Sequence, residues 1–149
     1  MALFDYTLRC GLLPLKNCCT FNEGYSFNFT VSRYVVVTER KTWNDSKHNC
    51  EEMGGRLMEI HTQDAFITAQ RFYREIRSSY WLGANDAQTE GTWVWNSNQD
   101  RLQRKELWGD GRPYNSTSLN CLAMSSKLLD GKCNAPTLSV CEFIDIDLF

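Results

Sequence analysis

The 149-residue sequence predicts an α+β domain. Three observations carry that expectation: a run of β-branched residues at 31–38, two stretches with helical apolar spacing that each follow a threonine, and tryptophan-bearing strand patterns further on. At 42% hydrophobic and 23% charged, the chain is neither disordered nor membrane-like, and its length suits one modest core.

Residues 1–29 show no clear periodicity and carry Cys10, Cys18 and Cys19; they read as an extension tied down by disulfides or by a partner. Residues 31–38 include Val35, Val36 and Val37, whose stiff side chains favour a pleated surface, and form the first strand. Thr42 caps the first helix, residues 43–53, by accepting from the backbone N–H of Asp45 or its predecessor. Trp43, Ser46, Cys50 and Met53 share one helical face, and Gly54-Gly55 supplies the left-handed stop. Residues 57–60 read as a short strand. Thr62 caps the second helix, residues 62–77, with an apolar stripe of Ala65, Phe66, Ala69, Phe72, Tyr73 and Ile76. Residues 80–84 read as a buried strand, and Trp93 and Trp95 share one face of the next. Residues 96–120 are polar and irregular, and a loop of that length in a small domain is usually functional. Residues 122–129 and 139–143 complete the strands.

A net charge of −2 with no Lys/Arg cluster excludes a nucleic-acid field. The apolar run at 11–15 is too short to span a bilayer or to serve as a signal core. Seven cysteines point to an oxidising compartment. Three Asn-X-Ser/Thr triplets, at Asn28, Asn44 and Asn115, are glycosylation candidates in such a setting. The chain is therefore expected to be secreted, with its leader removed, replaced or missing. The rival use of cysteine is a metal site, but no Cys-x-x-Cys or His-x-x-x-His spacing occurs, and His48 and His61 stand apart.

The run Trp81-Leu82-Gly83-Ala84, the later Trp93 and Trp95, the cysteines 50, 121, 133 and 141, and the closing Cys141-Glu142 together resemble the C-type lectin-like domain. The resemblance covers about residues 34–143, and 80–95 looks like the invertebrate, perlucin-like members. It implies two helices packed on a small, mainly antiparallel sheet with a long irregular binding loop, residues 30–149 forming the domain. It also implies the bridges Cys50–Cys141 and Cys121–Cys133. Longer members place the partner of an N-terminal cysteine in the first strand, and here that strand has none. For Cys10, Cys18 and Cys19 the arithmetic of a local pair plus one thiol leaves a disulfide-linked homodimer and a buried free thiol both open.

Sugar-binding members of that family hold calcium through oxygens from three places, and calcium wants six to eight of them. The first place, Glu-Pro-Asn or Gln-Pro-Asp around a cis proline, is Arg112-Pro113-Tyr114 here, a cation and a poor donor. The second, a glutamate before the third framework cysteine, is Leu119. The third keeps only Asp130, which reads as a turn residue before Gly131. The usual site is thus expected to be lost. A weaker calcium site from Asp130, Asn115 or Asn120 is the surviving alternative.

Arg112 and Tyr114 flank a proline and are expected to be exposed. With Asn115, Asn120 and Asp130 they are the binding candidates; Arg101, Arg104 and Lys105 lie nearby, and Trp108 is expected in the core. Tyr, Trp and Arg suit interface hot spots. No nucleophile–base pair or metal pair suggests an enzyme. The sequence therefore predicts a non-enzymatic module that recognises a protein or glycan without a cofactor. The alternatives are a calcium-dependent lectin with divergent ligands in innate recognition, and a structural or matrix protein.

Overall fold

A computed structural model describes residues 28–148. The elements run β1 (Asn28–Lys41), α1 (Trp43–Glu52), β2 (Arg56–Leu57), α2 (Gln63–Ile76), β3 (Tyr80–Asn85), β4 (Val94–Trp95), a 3₁₀ turn (Lys105–Leu107), β5 (Cys121–Met124), β6 (Leu128–Gly131) and β7 (Thr137–Leu148). The sheet has the order β1-β7-β3-β5-β6, with β2 added to β7 and β4 to β3. The β3–β7 pair is parallel; the others are antiparallel.

Both helices begin as their threonines dictate. Thr42 Oγ1 accepts from Asp45 N at 3.2 Å, and Thr62 Oγ1 accepts from Ala65 N at 3.1 Å, each satisfying an orphan donor of the first turn. The first helix stops where Gly54 takes φ +86°, and the second at Arg77, whose φ is 55°. The expected bridges are both present. Cys50 and Cys141 have Cα atoms 5.4 Å apart, and Cys121 and Cys133 5.2 Å.

The alternation of β3 divides the core. Tyr80, Leu82 and Ala84 join Phe66, Ala69 and Phe72 of α2, with Trp93, Trp95, Leu107 and Trp108. Trp81 points the other way, into a cluster with Cys50, Cys121, Cys141, Val37 and Leu57. Trp43 and Trp81 fasten the sheet through their indole N–H groups, which donate to the Leu82 and Lys41 carbonyls at 2.8 and 3.1 Å.

The strands depart from expectation in three places. Residues 122–129 are not one strand but a hairpin, β5 and β6, because Ser125 N donates to the Lys127 carbonyl and reverses the chain. Of 57–60 only Leu57 lies in a strand. Met58 and Ile60 are equally buried, and Met58 sits between Val140 and Gly83 through one backbone bond to each. The first and last strands are longer than expected, pairing as a ribbon from Asn28↔Leu148 onward. Cys10, Cys18 and Cys19 lie outside the described residues.

Candidate functional site

The long segment between β4 and β5 returns to the sheet twice. Trp108 bridges Leu128 of β6, its ring packs edge-on against Trp93 at 5.2 Å, and it is buried, as expected. Gly109 N then donates to the Leu128 carbonyl and Arg112 N to the Gly109 carbonyl, which turns the chain towards Pro113 across a cis Arg112–Pro113 bond.

The sequence places Asp130 in a turn, but the structure places it within β6, opposite Leu122, with its side chain fully enclosed. Its carboxylate is spoken for on both oxygens. Arg112 Nη1 donates to Oδ1 at 2.9 Å and to the Asp130 carbonyl at 3.0 Å, while Tyr114 N donates to Oδ2 at 2.8 Å. A charge-assisted pair of this kind is stronger than a neutral one, and enclosure limits its screening. Arg112 is accordingly half-buried rather than exposed. Its Cζ lies 3.8 Å from the centre of the Tyr114 ring, a cation–π stack, and Tyr114 keeps 60% of its surface in solvent.

Asn115, exposed at φ 52°, lies beside Gly91; a Cβ on that glycine would stand 3.6 Å from Asn115 Oδ1. Asn120 turns its Nδ2 to the Thr117 carbonyl and accepts Asp86 N on its own carbonyl. Arg104 is occupied by Gln63 at 2.7 Å and Glu106 at 2.9 Å, and Arg101 and Lys105 are exposed. The structure therefore brings Arg112, Tyr114 and Asp130 into one unit and sets Asn115 and Asn120 on a second flank.

That second flank holds two carboxylates that sequence reasoning passed over. Asp86 is 1% exposed and its Oδ2 accepts from Gly91 N at 2.9 Å. Burial, with a further contribution from Asp130, raises its carboxyl above the ordinary range. The Glu90 carboxyl is raised as well, by desolvation and then by the Asp86 charge. Two carboxylates four residues apart, directly after a buried tryptophan strand, were the available signal.

The fit to a metal differs between the flanks. At the family's usual position the guanidinium of Arg112 holds the one retained acid, so the residues there do not fit calcium. On the other flank Asp86 Oδ1 and Asn120 Oδ1 are buried without a hydrogen-bond partner, two unmet acceptors of the oxygen type that a hard cation takes, against the six to eight it needs. Among the described residues no three His, Cys, Asp or Glu side chains converge as a metal-holding set.

A separate buried network fixes the start of the loop. Glu59 accepts Ser97 N at 3.0 Å, Ser97 Oγ at 2.7 Å and the His61 ring at 2.7 Å, while its own N–H donates to Glu142 Oε1 at 3.0 Å. Arg56 Nε completes the network on Glu142 at 2.8 Å. Burial raises the Glu142 carboxyl despite that guanidinium.

Residues 39–143 match the family described as Lectin C-type domain. C-type lectin domain family 4 member D of Homo sapiens is 32% identical over 111 residues, 72% of this chain and 48% of that protein. The chain spans between about a third and a half of the length of the first curated relatives it matches. A calcium-dependent type II antifreeze protein, solved in its calcium-free form, superposes with a TM-score of 0.68 at 20% identity, covering 79% of this chain and 96% of that one. A calcium-independent type II antifreeze protein superposes at 0.65 and 18% identity, covering 82% and 98%. Likenesses at that identity speak for the fold alone.

Proposed function

The chain belongs to the C-type lectin domain family, and from that premise we propose that it is a non-enzymatic recognition module whose loop binds a glycan or protein without calcium. One observation carries the reading: Asp130, the acid retained from the usual ligand set, is held by Arg112 and Tyr114 N instead of a metal. The loop then offers the exposed Tyr114 ring, backed by a guanidinium and flanked by Asn115, as its contact surface. Two disulfides support an extracellular setting, in which Asn44 and Asn115 are exposed candidates for glycosylation. The cysteines beyond those bridges, Cys10, Cys18 and Cys19, supply an odd thiol for a disulfide-linked homodimer. A glycan array run in calcium and in chelator, with wild type and Tyr114→Ala, tests the reading. Binding that survives chelator and fails in the variant is expected; binding abolished by chelator overturns it.

A second reading is a calcium-dependent lectin with divergent ligands. The unpartnered oxygens of Asp86 and Asn120, with Glu90 next to Asp86 and Asn115 next to Gly91, favour it over the Asp130 position. These residues would hold the ion, and its chemistry there would be to order the loop. Loss of a calcium response in Asp86→Asn identifies that case.

A further inference from the structure

Resting on the reading that the loop works without the family's calcium, we infer that Arg112 is the loop's own cation, a positioning residue that supplies from within the chain the charge and the fastening a bound divalent ion would give. An enclosed carboxylate needs a compensating charge, because water no longer solvates it. Asp130 is such a group, and Arg112 meets it at 2.9 Å. The same residue ties three segments together. Its guanidinium Nη1 reaches the backbone and side chain of Asp130 on β6 and its plane supports the Tyr114 ring, while its backbone N–H holds the turn at Gly109. That turn is in turn fixed to Leu128. A metal ion fastens a loop in this way, by drawing oxygens from separated segments to one positive centre.

The surroundings set the consequence of removing the charge. The Asp130 carboxylate is wholly enclosed and meets the Arg112 guanidinium and Tyr114 N. Without the guanidinium this enclosed anion lacks a counter-charge, which a divalent cation from solution would supply. Arg112→Gln keeps a hydrogen-bonding side chain and deletes the charge, so it is expected to convert a calcium-indifferent domain into a calcium-responsive one.

The test uses the full chain with its disulfides intact, melted at fixed ionic strength in calcium chloride or in chelator. Wild type and Arg112→Lys are expected to melt alike in both. Arg112→Gln is expected to melt lower than wild type in chelator and to recover by about 5–10 °C at calcium about 100 times its Kd. That recovery should vanish in Arg112→Gln/Asp130→Asn. An Arg112→Gln protein that melts like wild type in chelator, or one whose loss calcium does not restore, overturns the inference. If Arg112→Gln does not fold in chelator, refolding yield becomes the readout: recovery in calcium supports the inference and no recovery overturns it. Ligand binding enters neither arm, so a failed array and a failed melt are told apart.

Discussion

Tyr114 presents its ring to solvent while its backbone N–H is fixed by the buried Asp130 carboxylate at 2.8 Å. The exposed contact residue is thus anchored through its main chain, and its side chain adds to the fold its stack on Arg112. Tyr114→Ala should lower the unfolding free energy by no more than about 1 kcal/mol while weakening ligand binding by at least about tenfold. Unfolding curves and a binding isotherm on the same preparation check this. A large loss of stability would show that the ring packs inward.

Asp130→Ala should behave in the opposite way. It strands the half-buried Arg112 and releases Tyr114 N, so it should cost about 3–5 kcal/mol, the range for breaking an enclosed pair from one side. Equilibrium denaturation measures the loss, and a cost below about 1 kcal/mol would contradict the assignment.

Trp81 is 2% exposed and its ring covers Gly131, where an added Cβ would stand 3.1 Å from the indole. Trp81→Ala should cost about 3–5 kcal/mol by opening a cavity between the two bridges. Gly131→Ala should also destabilise, since the ring is the group that has to move. Urea titrations rank the two, and a neutral Gly131→Ala would contradict the tight contact.

The two disulfides should differ in worth. Cys50–Cys141 spans 91 residues and Cys121–Cys133 only 12. Chain entropy assigns about 4–5 kcal/mol to the longer loop and about 3 kcal/mol to the shorter. Paired Cys→Ala substitutions, compared by denaturation, should keep that order.

Acid should act on Glu142 in a defined direction. Its folded pKa is raised, with burial as the first cause, so its contribution to stability is fully present below its unfolded pKa and is lost as pH rises through the folded value. The stability of wild type relative to Glu142→Gln should therefore be greatest near about pH 4 and decline towards neutrality. Denaturation at a series of pH values checks the slope, and a difference that grows with pH would contradict it.

Much of the frame was legible in the sequence because local chemistry decides it. Thr42 and Thr62 announce their helices, Gly54 ends one, and the unbroken apolar run at 80–84 marks a strand buried on both faces. The spacing of Cys50, Cys121, Cys133 and Cys141 carried the resemblance, and the bridges followed from that rather than from the residues alone. The hairpin at 122–129 was missed because Ser125-Ser126-Lys127 lacks glycine and proline, so no turn dipeptide marks it. Asp130 was misplaced for the converse reason: Asp-Gly is a turn signal, and only the pairing with Leu122 overrides it. Asp86 and Glu90 escaped notice since their significance lies in proximity to Asp130 and Asn120, far along the chain.

The most direct test of the central claim is the melting temperature of the wild-type protein in millimolar calcium and in chelator. An internal cation at Arg112 predicts that the two curves nearly coincide, because the one acid retained from the usual set is already paired. A site filled to about 100 times its Kd would add about 2.7 kcal/mol, a shift well outside the error of such a scan. A rise of several degrees in calcium, lost in Asp130→Ala, would contradict the account and place a metal where the guanidinium stands.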